Sequence, residues 1–164
     1  MNQSGELTSL IERLVLIDSS GMLDEPTPLL QQYLNAAISA SYDKLKIIFE
    51  QLAAQSWRVF PILIDVFVKR INMPGAKHAF ESAFHNSTKT QIGIDRLGKL
   101  QDVRTLIIWG RCDNLIPLKY SKPFTETIRD AHFEIIEDAG HAPFAEKPAI
   151  VCEILREFLS QDSY

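Results

Sequence analysis

The 164-residue sequence has little cysteine, no excess of basic residues and no long apolar run. Two cysteines, Cys112 and Cys152, are too few for a disulfide framework, so a reducing, cytoplasmic setting is expected. Lys and Arg number 17 against 21 Asp and Glu, which argues against nucleic-acid binding because that binding neutralises phosphates. The longest apolar stretch, residues 59–68, contains Asp65 and falls short of the roughly 20 residues of a membrane span.

Three short apolar runs predict buried strands, at residues 14–17, 105–109 and 133–136. The first two are almost continuously apolar, which is typical of strands covered on both faces of a parallel sheet. Polar turns follow each run, and α/β sheets bind their ligands in the loops after the carboxyl ends of strands. We therefore expect an α/β fold with a site at that edge of the sheet.

Helical periodicity occupies most of the remaining sequence. Residues 148–159 repeat apolar side chains on one face, which predicts a C-terminal helix. Tyr120, Phe124 and Ile128 recur every fourth residue and predict a crossover helix of about three turns, with Pro123 near its start.

The segment from 23 to 91 has helical periods throughout and no convincing strand alternation. Within it, residues 57–71 are apolar on most faces, which indicates a buried helix or one that faces a cavity. An all-helical insert of roughly 70 residues is far longer than an ordinary crossover of about a dozen.

Two residues suited to acid–base chemistry follow the second and third predicted strands. Asp113 comes after the second strand and His141 after the third, and adjacent parallel strands place such loops side by side. A carboxylate there can accept the imidazole N–H, fix the ring's tautomer and leave the other nitrogen free as a general base. Asp113 and His141 thus supply two of the three groups of a Ser-His-Asp arrangement.

Three segments carry a resemblance to the α/β-hydrolase superfamily. Residues 109–118 (WGRCDNLIPL) resemble its acid-bearing loop, 137–148 (EDAGHAPFAEKP) its histidine loop, and 12–19 (ERLVLIDS) the strand that follows its nucleophile-bearing helix. The helical insert resembles the lid that follows that strand. Together these segments cover almost the whole chain, in the family's order.

The resemblance implies a partial α/β-hydrolase fold with about three parallel strands, flanking helices and an all-helical lid. Residues 1–22 and 92–164 would form the C-terminal part of the hydrolase core, and residues 23–91 the lid. It also implies that Asp113 is the catalytic acid and His141 the catalytic base.

Smaller roles follow from the same resemblance for three residues near the pair. Gly110 would form the tight turn that ends its strand, and Pro117 would shape the acid loop. Gly140 would let the backbone bend ahead of His141.

The nucleophile of the family sits on a Gly-x-Ser-x-Gly elbow, which this sequence does not contain. The residues before Leu14 include only a Ser4-Gly5 pair. We therefore expect the chain to correspond to the lid and C-terminal half of a serine hydrolase, and to be inactive alone. The expected substrate is a small apolar ester or similar acyl compound, and neither a cofactor nor a metal is expected.

Other candidate side chains have simpler interpretations as turn formers or surface groups. In this class are Asp18, Ser19, Ser20, Cys112, His78, His85 and His132.

The alternative to a hydrolase is a non-catalytic binding or self-associating module derived from one. If the strand at 14–17 lies at a sheet edge, its unpaired backbone groups favour association. The partner would be a second copy of the chain or an upstream hydrolase half.

Overall fold

A three-stranded parallel sheet lies at the centre of the computed structural model, which describes residues 11–54, 57–89 and 92–160. The strands stand in the order β1 (Arg13–Ile17), β2 (Arg104–Gly110) and β3 (His132–Ile136). Leu14 pairs with Thr105, and Ile107 pairs with Phe133. The three predicted strands and the parallel α/β class are confirmed.

Eight α-helices surround the sheet in the described part of the chain. They are α1 (Pro28–Ser39), α2 (Tyr42–Leu52), α3 (Pro61–Ile71), α4 (Ala76–Lys89), α5 (Ile94–Leu97), α6 (Lys122–Thr127), α7 (Pro143–Glu146) and α8 (Pro148–Ser160). Helices α1 to α4 lie between β1 and β2 and are called the helical insert below. None of these eight helices is long and apolar enough to cross a membrane.

The central strand β2 is buried on both faces, which explains its unbroken apolar run. Leu106 and Ile108 pack into a cluster with Val151 of α8. Ile107 and Trp109 point to the opposite face, into the larger cluster that includes the helical insert. These four side chains are fully buried, as expected for a strand between two layers of helix.

One aromatic ring from each helix of the insert holds that insert together. Tyr33 of α1, Phe49 of α2, Phe67 of α3 and Phe80 of α4 pack with centroid separations of 5.4–6.2 Å. These separations lie in the range of favourable tilted and edge-to-face pairs. Burial in this cluster raises the pKa of Tyr33 to about 12.

Helix α3 differs from the helix predicted over residues 57–71. It begins only at residue 61, and it exposes Ile62, Leu63 and Val66 while Ile64 is buried. A buried helix, the first of the two expectations for this segment, is therefore wrong, whereas the second, a helix that faces a cavity, stays a prediction. Its neighbours α2 and α4 cover one side of α3, and the sequence pattern alone could not show which sides of an apolar helix are covered.

The crossover between β2 and β3 is also shorter than predicted. A 3₁₀ turn (Leu118–Ser121) leads into α6, which spans six residues instead of about three turns. Phe124 and Ile128 are buried as their spacing indicated. The helix stops because Ile128 adopts an extended conformation.

Candidate active site

Asp113 and His141 meet at the carboxyl ends of β2 and β3. Nδ1 of His141 lies 2.9 Å from Oδ2 of Asp113. The Asp113 side chain is fully buried, whereas the His141 side chain is 27% exposed. When Asp113 is ionised it can only accept, so Nδ1 is then the donor, and a neutral ring in this tautomer has its lone pair on Nε2. That geometry suits an imidazole that takes a proton from a third group.

The loop after β2 folds around the Asp113 carboxylate. Its Oδ1 accepts backbone N–H bonds from Leu115 at 2.8 Å and Ile116 at 2.9 Å. Trp109, buried at the end of β2, donates its indole Nε1–H to the carbonyl of Ile116 at 3.0 Å. These bonds leave Oδ2 directed at His141, so the acid is fixed before any ligand arrives.

The helical insert begins on that same acid loop. Thr27 caps α1, because its Oγ1 accepts the N–H of Leu30 at 3.1 Å. The Thr27 hydroxyl also donates to the carbonyl of Leu115 at 2.9 Å. One side chain therefore satisfies a helix terminus and ties the insert to the loop that carries Asp113.

The histidine loop lies directly against the end of α2. The backbone N–H of His141 donates to the carbonyl of Leu52 at 2.8 Å. A Cβ on Gly140 would collide with that carbonyl oxygen and lie 2.9 Å from the carbonyl carbon of Ala53. A Cβ on Gly110, the last residue of β2, would collide with the carbonyl of Gly140. Neither glycine has a positive φ, and close backbone approach explains why both positions lack a Cβ. The carbonyl of Gly110 also accepts the N–H of Asp113 at 3.2 Å, which closes a turn directly after β2.

Glu146 joins the histidine loop to the insert, and sequence reasoning assigned it no role. Its buried carboxylate accepts the N–H of Gly140 at 2.9 and 3.0 Å, of Ala142 at 3.1 Å and of Ala54 at 2.8 Å. The first two donors flank His141 in the chain, and the third follows α2. The available signal was a glutamate in the histidine loop, four residues after Ala142.

Asp18 adds a second buried carboxyl group beside Asp113. It follows β1, is 4% exposed and has a φ of 42°. Its Oδ1 accepts the N–H of Gly110 at 2.8 Å, and its Oδ2 is buried without a hydrogen-bond partner among the described residues. Burial, and then the nearby charges of Asp113 and Glu146, raise the pKa of Asp18 to about 8. The interpretation of Asp18 as a turn former explains its positive φ but does not explain why its carboxyl group is buried.

The other candidate side chains do not join this group. His132 pairs with Glu134 at 2.7 Å, and His85 lies 3.9 Å from Glu81. Cys112 is a free, exposed thiol, and His78 is exposed. Ser4, considered above as a nucleophile, lies outside the described residues.

A cleft of about 560 Å³ opens in the insert next to the histidine loop. It is bordered by the apolar residues Trp57, Phe60 and Ala54 and by three charged residues, Lys46, Glu50 and Arg58. Ala54 is also the residue whose N–H binds Glu146. Apolar surface therefore begins close to the loop that carries His141.

Solved structures with a similar backbone identify the fold. The chain superposes on a meta-cleavage product hydrolase from Pseudomonas fluorescens with a TM-score of 0.79 at 20% identity, covering 95% of this chain and 61% of that one. A 2-hydroxy-6-oxo-6-phenylhexa-2,4-dienoate hydrolase from Rhodococcus gives 0.82 at 18% identity, covering 96% and 58%. The chain has a partial α/β-hydrolase fold. The resemblance drawn from the sequence is confirmed at this level.

A further solved structure and a curated protein are also similar to the chain. An esterase from Exiguobacterium antarcticum has a TM-score of 0.73 at 16% identity, covering 96% of this chain and 63% of that one. Monoacylglycerol lipase abhd6-A of Xenopus laevis is 32% identical over 56 residues, which are 34% of this chain and 17% of that protein. No protein-family model matches the sequence. The chain spans about three fifths of the solved hydrolases, and its match covers less than a fifth of the lipase.

Proposed function

We propose that the chain carries the acid and the base of a serine-type hydrolase that acts on an ester or a similar acyl compound. The 2.9 Å contact between Asp113 Oδ2 and His141 Nδ1 carries this proposal. A fully buried carboxylate fixes the imidazole tautomer, and the partly exposed ring keeps Nε2 available for proton transfer.

In the reaction, His141 takes the proton of a serine hydroxyl at Nε2 as the serine oxygen attacks the substrate carbonyl. Asp113 stabilises the resulting imidazolium, which then protonates the leaving group. Water then attacks the acyl-serine ester that has formed, and His141 takes a proton from this water. The imidazolium returns the proton to the serine oxygen as the carboxylic acid product leaves. The serine would come from polypeptide outside these 164 residues, because no two of their seven glycines are four positions apart, as Gly-x-Ser-x-Gly requires.

The substrate class rests on weaker support than the acid–base pair. The names of two similar proteins contain lipase and esterase, which favours an ester. The cleft bordered by Trp57 and Phe60 would receive an apolar acyl or alkyl group. In this proposal residues 23–91 act as the lid over that substrate, with residues 1–22 and 92–164 as the core.

Hydrolysis of p-nitrophenyl esters tests the proposal, with the chain assayed alone and then co-expressed with the polypeptide encoded directly upstream of it. We expect no turnover by the chain alone and turnover by the combination. Asp113→Asn or His141→Ala should lower kcat by about 10⁴-fold, as loss of a triad member does. His132→Ala and Asp65→Asn, on an exposed histidine and an exposed aspartate of α3, are the matched controls. Turnover that survives in both active-pair variants would refute the proposal.

A second candidate, a self-associating module, is favoured by the position of β1. Among the described strands β1 pairs with β2 alone, and its residues are only half-buried. The N–H of Asp18 donates to the carbonyl of Ile108 in β2. Because successive N–H groups of a parallel strand point alternately to its two sides, the N–H of Val15, three residues earlier, points away from β2. Light scattering over a range of concentrations should show a dimer that Val15→Pro abolishes. A monomer at every concentration would contradict this candidate.

A further inference from the structure

Three carboxyl groups converge at the carboxyl ends of the strands, and the proposed reaction uses only one of them. Asp113 faces His141, and Glu146 is saturated by backbone N–H groups. Asp18 is 4% exposed and has a buried oxygen, Oδ2, without a hydrogen-bond partner among the described residues. A buried carboxylate oxygen without a donor is costly, so the protonation state of Asp18 needs a physical explanation.

The carboxylate of Asp113 can accept a hydrogen bond from a protonated Asp18. The Asp113 carboxylate has about four acceptor positions. Three are filled, by the N–H groups of Leu115 and Ile116 and by Nδ1 of His141. The charge of Asp113 is one of the causes that raise the pKa of Asp18. Two ionised carboxylates are both acceptors, so a hydrogen bond between them can form only when one of them carries a proton.

The surroundings decide which carboxyl group holds that proton. Asp113 already receives three hydrogen bonds, two from backbone N–H groups and one from the imidazole, so a proton there would compete with donors already in place. Asp18 accepts only the N–H of Gly110. The ionisable groups that face Asp18 are Asp113, from the loop after β2, and Glu146, from α7, and both are acidic. The proton therefore belongs on Asp18.

We propose that Asp18 is protonated at neutral pH and donates a hydrogen bond to Asp113, which makes it a positioning residue for the Asp113–His141 pair. The bond fills the fourth acceptor position of Asp113 and fixes the rotation of its carboxylate. Oδ1 stays on the backbone N–H groups and Oδ2 stays on His141. A neutral partner does this without adding a second negative charge beside the imidazole.

The backbone at Asp18 supports a specific placement of its side chain. A φ of 42° is rare for a residue other than glycine and is retained only where the surroundings enforce it. Here the N–H of Asp18 bonds to Ile108, and its Oδ1 bonds to Gly110, at the end of the same neighbouring strand. Both contacts hold the carboxyl group against the loop that begins with Asp113.

The role in positioning rests on the proposed hydrolase function, but the proton itself can be measured without turnover. Carboxyl ¹³C NMR and infrared difference spectra of ¹³C-aspartate-labelled chain would be recorded from pH 5.5 to 9. We expect one protonated aspartate at pH 7, whose signal disappears as the pH rises through about 8. Asp18→Asn should abolish that signal, and Asp65→Asn, at an exposed aspartate of α3, should leave it unchanged.

A second variant keeps the test valid if Asp18→Asn fails to fold. Asp113→Asn retains Asp18 but removes the neighbouring negative charge, so the protonated signal should disappear at a lower pH than in the unmodified chain. The ring resonances of His141 should also show an inflection near pH 8, which Asp18→Asn removes. Absence of a protonated aspartate at pH 7, or its persistence in Asp18→Asn, would overturn the inference. Failure of ester hydrolysis alone would refute only the proposed function.

Discussion

Removal of the Glu146 carboxylate should loosen the histidine loop from the helical insert. The carboxylate is buried and accepts N–H bonds from three residues, Gly140, Ala142 and Ala54. Hydrogen bonds to a charged acceptor contribute about 1.5–3 kcal/mol each. Glu146→Ala leaves all three donors without a partner, so we expect a loss of about 3–5 kcal/mol, with water entering the gap.

Glu146→Gln makes a finer test because the amide keeps only one acceptor oxygen. At present Oε1 bonds to Gly140 and Ala142, while Oε2 bonds to Gly140 and Ala54. A glutamine therefore turns its NH₂ group toward either Ala142 or Ala54. The expected loss is about 1.5–3 kcal/mol, smaller than for alanine.

Urea unfolding measures the two losses, and amide hydrogen exchange locates them. Protection should fall at Gly140, Ala142 and Ala54 in Glu146→Ala, and at one of the last two in Glu146→Gln. Glu153→Ala, at an exposed glutamate of α8, is the control and should stay within about 0.5 kcal/mol. If both Glu146 variants match this control, the carboxylate does not join the loop to the insert and the reasoning is refuted.

Three further changes test other parts of the site. Gly140→Ala forces a Cβ into the carbonyl of Leu52 and should cost at least about 2 kcal/mol in urea unfolding. Gly98→Ala, whose Cβ would lie 3.8 Å from Nε2 of Gln101 in ordinary contact, should not destabilise. Thr27→Ala should cost about 1–2 kcal/mol, most of which Thr27→Ser should restore. Folding raises the pKa of Asp18 from 3.8 to about 8, so the folded state keeps a proton that the unfolded state loses, and stability falls as pH rises between these values. Asp18→Asn should remove this slope, at most about 1.4 kcal/mol per pH unit, and an unchanged slope would show that another group causes it.

The strands and the Asp113–His141 pair could be predicted from sequence for one shared physical reason. A strand buried on both faces leaves an unbroken apolar run, as β2 does. The carboxyl ends of parallel strands share one edge of the sheet, so polar residues just after two neighbouring strands must meet there. The apolar pattern of the strands and the topology of a parallel sheet were together sufficient to predict the strands and the meeting of Asp113 with His141.

The supporting carboxyl groups could not be predicted because their burial depends on distant segments. Glu146 is buried against Ala54, which is 92 positions away, and Asp18 bonds to Gly110 at the same separation. An aspartate after a strand and a glutamate in a loop are each typical of exposed positions. Only the packing of the helical insert against the histidine loop places Glu146 in the interior.

The tautomer of His141 tests the central claim most directly, since the claim requires a proton on Nδ1 and a free lone pair on Nε2. Long-range ¹H–¹⁵N NMR of the ring distinguishes these nitrogens in the chain as it stands. We predict a neutral ring that is protonated at Nδ1, with a slowly exchanging Nδ1 proton that Asp113→Ala abolishes. A ring protonated at Nε2, or one unaffected by Asp113→Ala, would contradict the assignment of Asp113 and His141 as acid and base.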